Sequence, residues 1–360
     1  FGLDMGRSIH HPLGLIYKDE LSLYDGFVLF SSIGGNFTVL VDVDGNEVHR
    51  WENSDGITYG YLLHNGNLLC RTNPPKENEF VKDVGGSSNK LIELDRNSKV
   101  VWEYENPMIH HDFIRLENGE TYVLVFDVLG EDFTSKVLGG YLEEDSKYIL
   151  GDSIIKISKN GEIIEKIQIY DHLDFNEDVI CPLESRKEWT HANSLSLTFD
   201  NNFLLSFRSI HTVGILSSQN QGFLWKWGPG ETWHQHHPTQ LPNNNILLFD
   251  NGSHSKSLEH SRVIEINPFK NEIVWQYAGS PPNSFYSFHV SSAQRLPNGN
   301  TLICEGAHGR IFEVTEAKEI VWEYINPFFV KSLKGDVEMN QVFRAHKYSY
   351  SDESIKNLFK

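Results

Sequence analysis

Histidines recur at fixed distances before a series of short turns. The positions eleven and nine residues before Asn202 hold His191 and Asn193. The same two positions before Asn245, Asn300 and Glu120 hold, in that order, His234 and His236, His289 and Ser291, and Ile109 and His111. Residues two apart in a β-strand share one face of the sheet. Imidazoles arranged in this way can act as nucleophiles, exchange protons or bind a metal ion.

Polar side chains also follow these turns. Arg208 and Asn251 each lie six residues after the residue that ends their turn, and Arg71 lies four residues after its own. A site with several imidazoles and a guanidinium would be cationic, which suits a sulfate, a phosphate or a carboxylate. The simpler alternatives are that Asn251 only holds a turn and that Arg71 pairs with an acidic loop.

A repeated strand pattern indicates the elements that position these residues. A short apolar strand ending in Trp recurs, and the equivalent positions are Trp51, Trp102, Glu165, Trp225, Trp275 and Trp322. This period, together with Asn-Gly turns inside the units, is typical of four-stranded propeller blades. The sequence therefore predicts an all-β fold, a six-bladed β-propeller, in which the Trp strand is a packing feature.

The two ends of the chain complement each other. The first unit supplies three strands, and the segment 341–348 is a lone strand near the C-terminus. We expect this strand to join the N-terminal blade and close the ring, because closure removes exposed sheet edges. A stack of separate sheets is the alternative, and it leaves the lone strand unexplained. The expected organisation is an N-terminal extension over 1–24, a single propeller over 25–350 and a tail over 351–360.

In a propeller, the first strand of each blade lines the central channel. Four histidines are therefore expected to converge there: His111, His191, His236 and His289. The histidines outside this register are interpreted as structural: His110, His237, His254, His260, His308 and His346. Two acidic insertions, 128–150 and 171–190, interrupt the repeat and are expected to form a lid or surface decoration.

The charge balance disfavours several function classes. The chain has 31 Lys and Arg against 49 Asp and Glu, a formal net charge of -18, so we expect neither nucleic-acid nor membrane-surface binding. No apolar run approaches the ~20 residues of a membrane span. Cys70, Cys181 and Cys304 show no spacing that indicates a disulfide framework or a zinc site. A cytoplasmic location is slightly favoured, and a periplasmic one is expected if a leader precedes Phe1.

Several of these segments resemble the bacterial aryl-sulfate sulfotransferase family. They are Trp-Thr-His-Ala-Asn-Ser at 189–194, Leu-Leu-Ser-Phe-Arg at 204–208, Gln-His at 235–236, and the stretches 245–252 and 296–302. The resemblance runs roughly from Tyr24 to Tyr348. It implies a six-bladed propeller whose central histidine is transiently sulfated while a sulfuryl group passes from an aryl sulfate to a phenol. The residues before Asp25 are too few for the extra N-terminal β-domain of the family's well-studied members, which suggests a divergent branch.

The resemblance also implies roles for individual residues. His236 matches the sulfated histidine, and Arg208 matches the sulfate-binding arginine. His191 and Asn193 match the family's His-x-Asn pair, with His191 in acid-base catalysis and Asn193 in substrate binding. His111 resembles a further channel histidine of the family. The register and the turns, not the resemblance, add the other candidates for substrate binding: His289, His234, Asn251 and Arg71.

Two alternatives remain open. His111, His191, His236 and His289 would also suit Zn, Fe or Cu, which would make the chain a metal-dependent oxygenase, lyase or hydrolase. A non-catalytic propeller that binds a small ligand is the second alternative. Arg208 favours the sulfotransferase-like enzyme, because an oxyanion needs a guanidinium whereas a metal gains little from one. That enzyme requires no cofactor, and its expected partner is an anionic or aromatic small molecule.

Overall fold

The computed structural model describes residues 12–75, 77–141, 147–333 and 335–360. Part of the predicted N-terminal extension (1–11) and part of the insertion at 128–150 (142–146) lie outside the described residues. Within the described part of the chain, no helix has the length and apolar character that a membrane span requires.

The described chain is built mainly of short strands. The first are β1 (Gly14–Lys18), β2 (Phe27–Ser32), β3 (Phe37–Asp42), β4 (Glu47–Glu52), β5 (Tyr59–Leu62), β6 (Leu68–Arg71), β7 (Lys90–Leu94) and β8 (Val100–Glu105). They are followed by β9 (Ile109–Arg115), β10 (Thr121–Leu129), helix α1 (Glu131–Thr134), β11 (Gly139–Tyr141), β12 (Ile149–Ile157), β13 (Ile163–Gln168) and β14 (Ile180–Ser185).

The remaining elements repeat the same pattern. They are β15 (Ala192–Leu197), β16 (Phe203–Phe207), β17 (Thr212–Leu216), β18 (Phe223–Trp227), β19 (His236–Gln240), β20 (Ile246–Asp250), β21 (Arg262–Asn267) and β22 (Glu272–Ala278). The last are β23 (Ser292–Arg295), β24 (Thr301–Glu305), β25 (Arg310–Val314), β26 (Ile320–Ile325), β27 (Val330–Lys331), β28 (Glu338–Met339), β29 (Val342–Tyr348) and helix α2 (Glu353–Leu358). Single 3₁₀ turns lie at Ile169–His172, Arg208–Ile210, Pro282–Ser284 and Gly306–His308.

Most of these strands form six small antiparallel sheets of four or five strands, and the chain is a six-bladed β-propeller, as predicted. The pairs β11-β14 and β27-β28 are separate two-stranded sheets. The repeated Trp positions lie on the fourth strand of their sheets, and Glu165 occupies the equivalent place in β13. Trp51 and Trp322 are fully buried, which agrees with a packing role. The chain divides into two compact units.

The first unit runs to Asn73 and includes Lys90–Glu105 and Phe285–Lys360. It contains the sheets β29-β2-β3-β4, β5-β6-β7-β8 and β1-β26-β25-β24-β23. Strand β29 pairs with β2 from Phe27↔Tyr348 to Ser32↔Val342, which confirms that the C-terminal strand completes the N-terminal blade. Strand β1, from the predicted extension, adds a fifth strand beside β26. In helix α2, Ile355 and Leu358 are buried in the core cluster around Trp51.

The second unit comprises Pro74–Asn89 and Asn106–Ser284. Its three sheets have the orders β13-β12-β10-β9, β15-β16-β17-β18 and β19-β20-β21-β22. The two insertions are ordered against each other, because β11 from the first pairs in parallel with β14 from the second. Arg186 holds this pair together, since its guanidinium donates to the carbonyl oxygens of Gly139 at 2.5 Å and Val137 at 2.8 Å.

Candidate functional site

In the second unit, a histidine with a left-handed backbone conformation lies near the start of the first strand of each sheet. His111, His191 and His234 have φ angles of 47°, 52° and 58°. Such residues interrupt the alternation of an extended strand. The two histidines of the 234/236 pair therefore do not share one strand face as the spacing predicted. The side chain of His234 faces Glu184, whereas that of His236, the first residue of β19, faces Asn251.

The hydrogen bonds of His236 define its tautomer. Its Nδ1 lies 3.0 Å from the carbonyl oxygen of His234 and 2.7 Å from Oδ1 of Asn251. A backbone carbonyl only accepts hydrogen bonds, so Nδ1 carries the proton and donates it. In the neutral imidazole, the lone pair is then on Nε2. This arrangement leaves Nε2 of His236 as a nucleophilic nitrogen and gives Asn251 an orienting contact.

Gln235 and Asn193 anchor the backbone beside His236. The Gln235 amide nitrogen donates to the carbonyl oxygens of Thr212 at 2.9 Å and Phe207 at 3.2 Å. The Gln235 carbonyl oxygen accepts from Nδ2 of Asn193 at 2.8 Å, which fixes the orientation of that amide. Oδ1 of Asn193 is buried and has no hydrogen-bond partner among the described residues. A buried acceptor of this kind is a place for a hydroxyl from a ligand.

A second histidine cluster surrounds His191. Its Nδ1 lies 2.9 Å from Oε2 of Glu188, so Nδ1 donates a hydrogen bond to the carboxylate and Nε2 is the ring nitrogen that can gain or lose a proton. The rings of His111 and His191 meet with centroids 4.5 Å apart. Nδ1 of His111 lies 3.1 Å from Nδ1 of His110. Nε2 of His110 in turn lies 3.3 Å from Oδ1 of Asp152. The contacts connect a buried carboxylate to the cluster through imidazoles.

Arg208 binds a carboxylate that comes from the second insertion. Its NH1 lies 3.0 Å from Oε2 of Glu184, on β14. The other oxygen of the same carboxylate lies 3.4 Å from Nε2 of His234 and 3.6 Å from Nδ1 of His254. Burial acts to raise the pKa of Glu184, but Arg208, His191 and His254 outweigh it and lower that pKa below its usual value. Glu184 is therefore ionised at neutral pH.

Three imidazoles near Arg208, those of His211, His234 and His254, are neutral at pH 7. Burial, reinforced by His254 and Arg208, lowers the pKa of His211 to about 4. Burial also lowers the pKa of His234 and that of His254. The cationic character that the sequence predicted from imidazoles and arginine therefore rests here on Arg208, because desolvation disfavours the charged form of each of these histidines.

Arg71 and His289 lie in the first unit. Arg71 is fully buried in β6, and its guanidinium lies 4.7 Å from the ring centroid of Phe343. The His289 ring packs against Phe288, with centroids 4.1 Å apart. Both therefore have apolar ring contacts within the first unit.

The amino-acid sequence of the chain matches the model of a known family. The sequence model described as arylsulfotransferase (ASST) matches residues 89–327, which is more than half of the chain. The chain belongs to the arylsulfotransferase family. This membership supports a transferase-type enzyme with sulfotransferase-like activity. A search of curated protein sequences returns no match.

Solved structures support the propeller fold of this arylsulfotransferase-family chain. A protein of unknown function from Bacteroides caccae aligns with a TM-score of 0.57 at 13% identity, over 90% of this chain and 99% of that one. A streptogramin B lyase aligns with a TM-score of 0.50 at 14% identity, over 94% and 93%. A functionally unknown protein from Desulfotomaculum acetoxidans gives 0.50 at 9% identity, over 90% and 99%. At these identities the likeness shows the fold alone.

Sequence reasoning on this arylsulfotransferase-family chain missed five residues of the site: Glu184, Glu188, His211, His254 and Cys181, whose Sγ lies 3.6 Å from Nδ1 of His254. A signal existed for two of them, because His211 and His254 each lie nine residues after the residue that ends their turn. Both adopt positive φ, at 55° and 64°, and Gly309 does so at the same register position with 64°. The other three lie in the insertion at 171–190, where the repeat offers no register.

Because of the buried carboxyl of Asp152, we expect the free energy of unfolding of this arylsulfotransferase-family chain to depend unusually on pH. Burial raises its pKa to about 7, although Thr190 and Ala192 donate hydrogen bonds to Oδ2. A carboxyl whose folded pKa is raised stabilises the fold below its unfolded pKa of about 4 and loses that contribution as the pH rises through about 7.

Asp152→Asn removes this titration and keeps an acceptor for Thr190 and Ala192. Relative to wild type, we expect the variant to gain on the order of 4 kcal/mol in the free energy of unfolding between pH 4 and pH 8. Urea unfolding across this pH range measures the difference. Parallel stability curves for the two proteins would show that Asp152 does not titrate abnormally.

Proposed function

We propose that this chain transfers a sulfuryl group from an aryl sulfate to a phenolic hydroxyl through a sulfated His236. The observation that carries the proposal is the tautomer of His236, whose Nδ1 proton is held by the His234 carbonyl oxygen and Asn251. Nε2 thus carries the lone pair and needs no prior proton transfer to act as the nucleophile. The family membership supports the reaction class.

The first half of the reaction forms a nitrogen–sulfur bond. The lone pair on Nε2 of His236 attacks the sulfur, the bond between sulfur and the aryl oxygen breaks, and its electron pair leaves with the phenolate. In this proposal, His191 in its protonated form gives the phenolate a proton. Glu188 stabilises that imidazolium through the contact of 2.9 Å to Nδ1.

The second half reverses the roles. Neutral His191 takes the proton of the acceptor phenol, the phenol oxygen attacks the sulfur, and the bond between sulfur and Nε2 of His236 breaks. The electron pair returns to Nε2, which restores the starting tautomer. The unpaired Oδ1 of Asn193 suits a hydrogen bond from the incoming hydroxyl, because it is a buried acceptor beside the backbone of Gln235.

Arg208 is proposed to hold the sulfate oxygens. A guanidinium has five N–H donors, so it can bind Glu184 through NH1 and still donate to an oxyanion. The equatorial oxygens carry negative charge in the transition state, and a fixed cation in a partly desolvated site stabilises it. Arg208 is suitably fixed, because its own backbone N–H donates to the His191 carbonyl oxygen at 3.2 Å.

The proposal is tested with p-nitrophenyl sulfate as donor and phenol as acceptor, on the purified protein both with and without a chelator. We expect nitrophenolate release that depends on phenol and forms phenyl sulfate in equal amount. Release without phenol at the same rate would indicate a sulfatase instead. No release with any of several phenols would contradict the proposed reaction.

The loop before β7 provides a matched pair of variants. A Cβ on Gly86 would lie 2.2 Å from the His111 ring, and the φ of Gly86 is +77°, whereas a Cβ on Gly85 would meet Cε1 of His191 at an ordinary 3.7 Å. Gly86→Ala must therefore displace His111, and we expect kcat/KM for transfer to fall by roughly 10²-fold. Gly85→Ala is expected to stay close to wild type. Equal kcat/KM values for the two variants would show that the position of His111 is unimportant.

A further inference from the structure

A cluster of metal-type ligands lies beside Arg208, and none of its side chains takes part in the two hydrogen bonds of the His236 ring described above. The ligand atoms of Cys181, His234 and His254 all lie within 4.8 Å of one another. The carboxylate of Glu184 adjoins them. The cluster shares no residue with the channel histidines that the sequence suggested as alternative ligands.

Three separations between neighbouring side chains of this cluster have the length of an edge of a tetrahedral site. Metal–ligand distances of about 2.0–2.3 Å place neighbouring ligand atoms about 3.3–3.8 Å apart. Nδ1 of His254 lies 3.6 Å from Sγ of Cys181 and 3.6 Å from Oε1 of Glu184. Nε2 of His234 lies 3.4 Å from the same Glu184 oxygen. These three distances suit pairs of ligands on one ion, and His254 and Glu184 each take part in two of them.

The state of His234 is a second, independent sign of a ligand. The side chain is 0% exposed, yet neither ring nitrogen has a hydrogen-bond partner among the described residues. An unpaired polar atom in the interior is costly. The nitrogen that faces the cluster, Nε2, would gain a partner from a bound cation.

We propose that Cys181, His234, His254 and Glu184 bind a divalent metal ion through Sγ, Nε2, Nδ1 and Oε1. One sulfur, two imidazole nitrogens and one carboxylate oxygen in tetrahedral arrangement favour Zn²⁺ among the common ions. Binding requires the thiolate, so the Cys181 proton is released to solvent. His254 is partly exposed, at 27%, and offers an entry path.

The bound ion would affect the neighbouring site around Arg208 indirectly. Glu184 contacts Arg208 through Oε2, so a metal on Oε1 would neutralise a carboxylate that otherwise competes with an oxyanion for the guanidinium. It would also pin β14, which carries both Cys181 and Glu184, to the loops that carry His234 and His254. The ion is thus expected to be a structural and electrostatic support.

The experiment uses the full chain, stripped with a chelator and titrated with Zn²⁺ by calorimetry and with Co²⁺ by absorption. We expect one ion per chain, a thiolate-to-cobalt charge-transfer band, and a rise of a few degrees in Tm with excess Zn²⁺. Cys181→Ser should abolish the band, and both Cys181→Ser and His254→Ala should weaken Zn²⁺ binding by at least about 10²-fold.

Cys304→Ser and His260→Ala are the matched controls and should bind like wild type. His260 lies on the same loop as His254 and is also partly exposed. Stoichiometric binding that is insensitive to Cys181→Ser and His254→Ala would overturn the inference, as would no binding by folded wild-type protein. Because the readout is metal binding, this inference stands or falls separately from sulfuryl transfer, which is assayed both with and without a chelator.

Discussion

His236→Ala is expected to lower kcat/KM for transfer from p-nitrophenyl sulfate to phenol by roughly 10⁴-fold or more. The variant removes Nε2, the nitrogen that forms the bond to sulfur, and an alanine cannot substitute for a covalent nucleophile. Initial rates of nitrophenolate release at saturating phenol measure the effect. His260→Ala, which changes a histidine outside the site, should keep the wild-type rate.

The loss must come from chemistry and not from unfolding. His236 is 4% exposed, so its truncation leaves a cavity and costs stability. The thermal transition and circular dichroism of His236→Ala therefore need to show a folded protein at the assay temperature. A folded His236→Ala that retains a tenth or more of the wild-type kcat/KM would contradict a covalent role for this residue.

Arg208→Ala is expected to lower kcat/KM for the same reaction by about 10²- to 10³-fold. Loss of one preorganised donor to a developing oxyanion has an effect of this size. Arg208→Lys keeps the charge but loses the planar fork, so it should lie between Arg208→Ala and wild type. Steady-state kinetics with varied aryl sulfate separate the effects on kcat and KM.

Arg50 offers a control for the loss of an arginine outside the site. It pairs with Glu47 on β4 in the first unit, so Arg50→Ala should leave kcat/KM unchanged. If Arg208 holds the sulfate more tightly in the transition state than in the ground state, kcat falls more than KM rises. Identical kinetics of Arg208→Ala and Arg50→Ala would show that Arg208 does not contact the sulfuryl group.

The fold was predictable because its signals are local and repeated. The Trp strand and the Asn-Gly turn each recur along the chain. A degenerate copy of the Trp strand, such as the one at Glu165, can therefore be recognised from the spacing of the copies on either side. The closing strand was predictable for a related reason. The first blade has only three strands of its own, and 341–348 had no other partner. The actual pairing of β29 with β2 runs from Tyr348 to Val342.

The details of the site were predictable only in part. Register identified His191, Asn193, His236 and Asn251, whose contacts are observed in the second unit. It did not reveal that His234 turns away from His236, because the left-handed φ of 58° at His234 is a property of the folded loop. Glu184 and Cys181 come from an insertion without register, so only the pairing of β14 with β11 brings them into place.

Detection of the covalent intermediate tests the central claim most directly. Protein mixed with p-nitrophenyl sulfate in the absence of a phenol should accumulate one sulfuryl group per chain. Digestion under alkaline conditions and mass spectrometry should place that group on the peptide with His236, and added phenol should remove it. A burst of nitrophenolate with no modified peptide, or a sulfuryl group on another residue, would contradict the proposed mechanism.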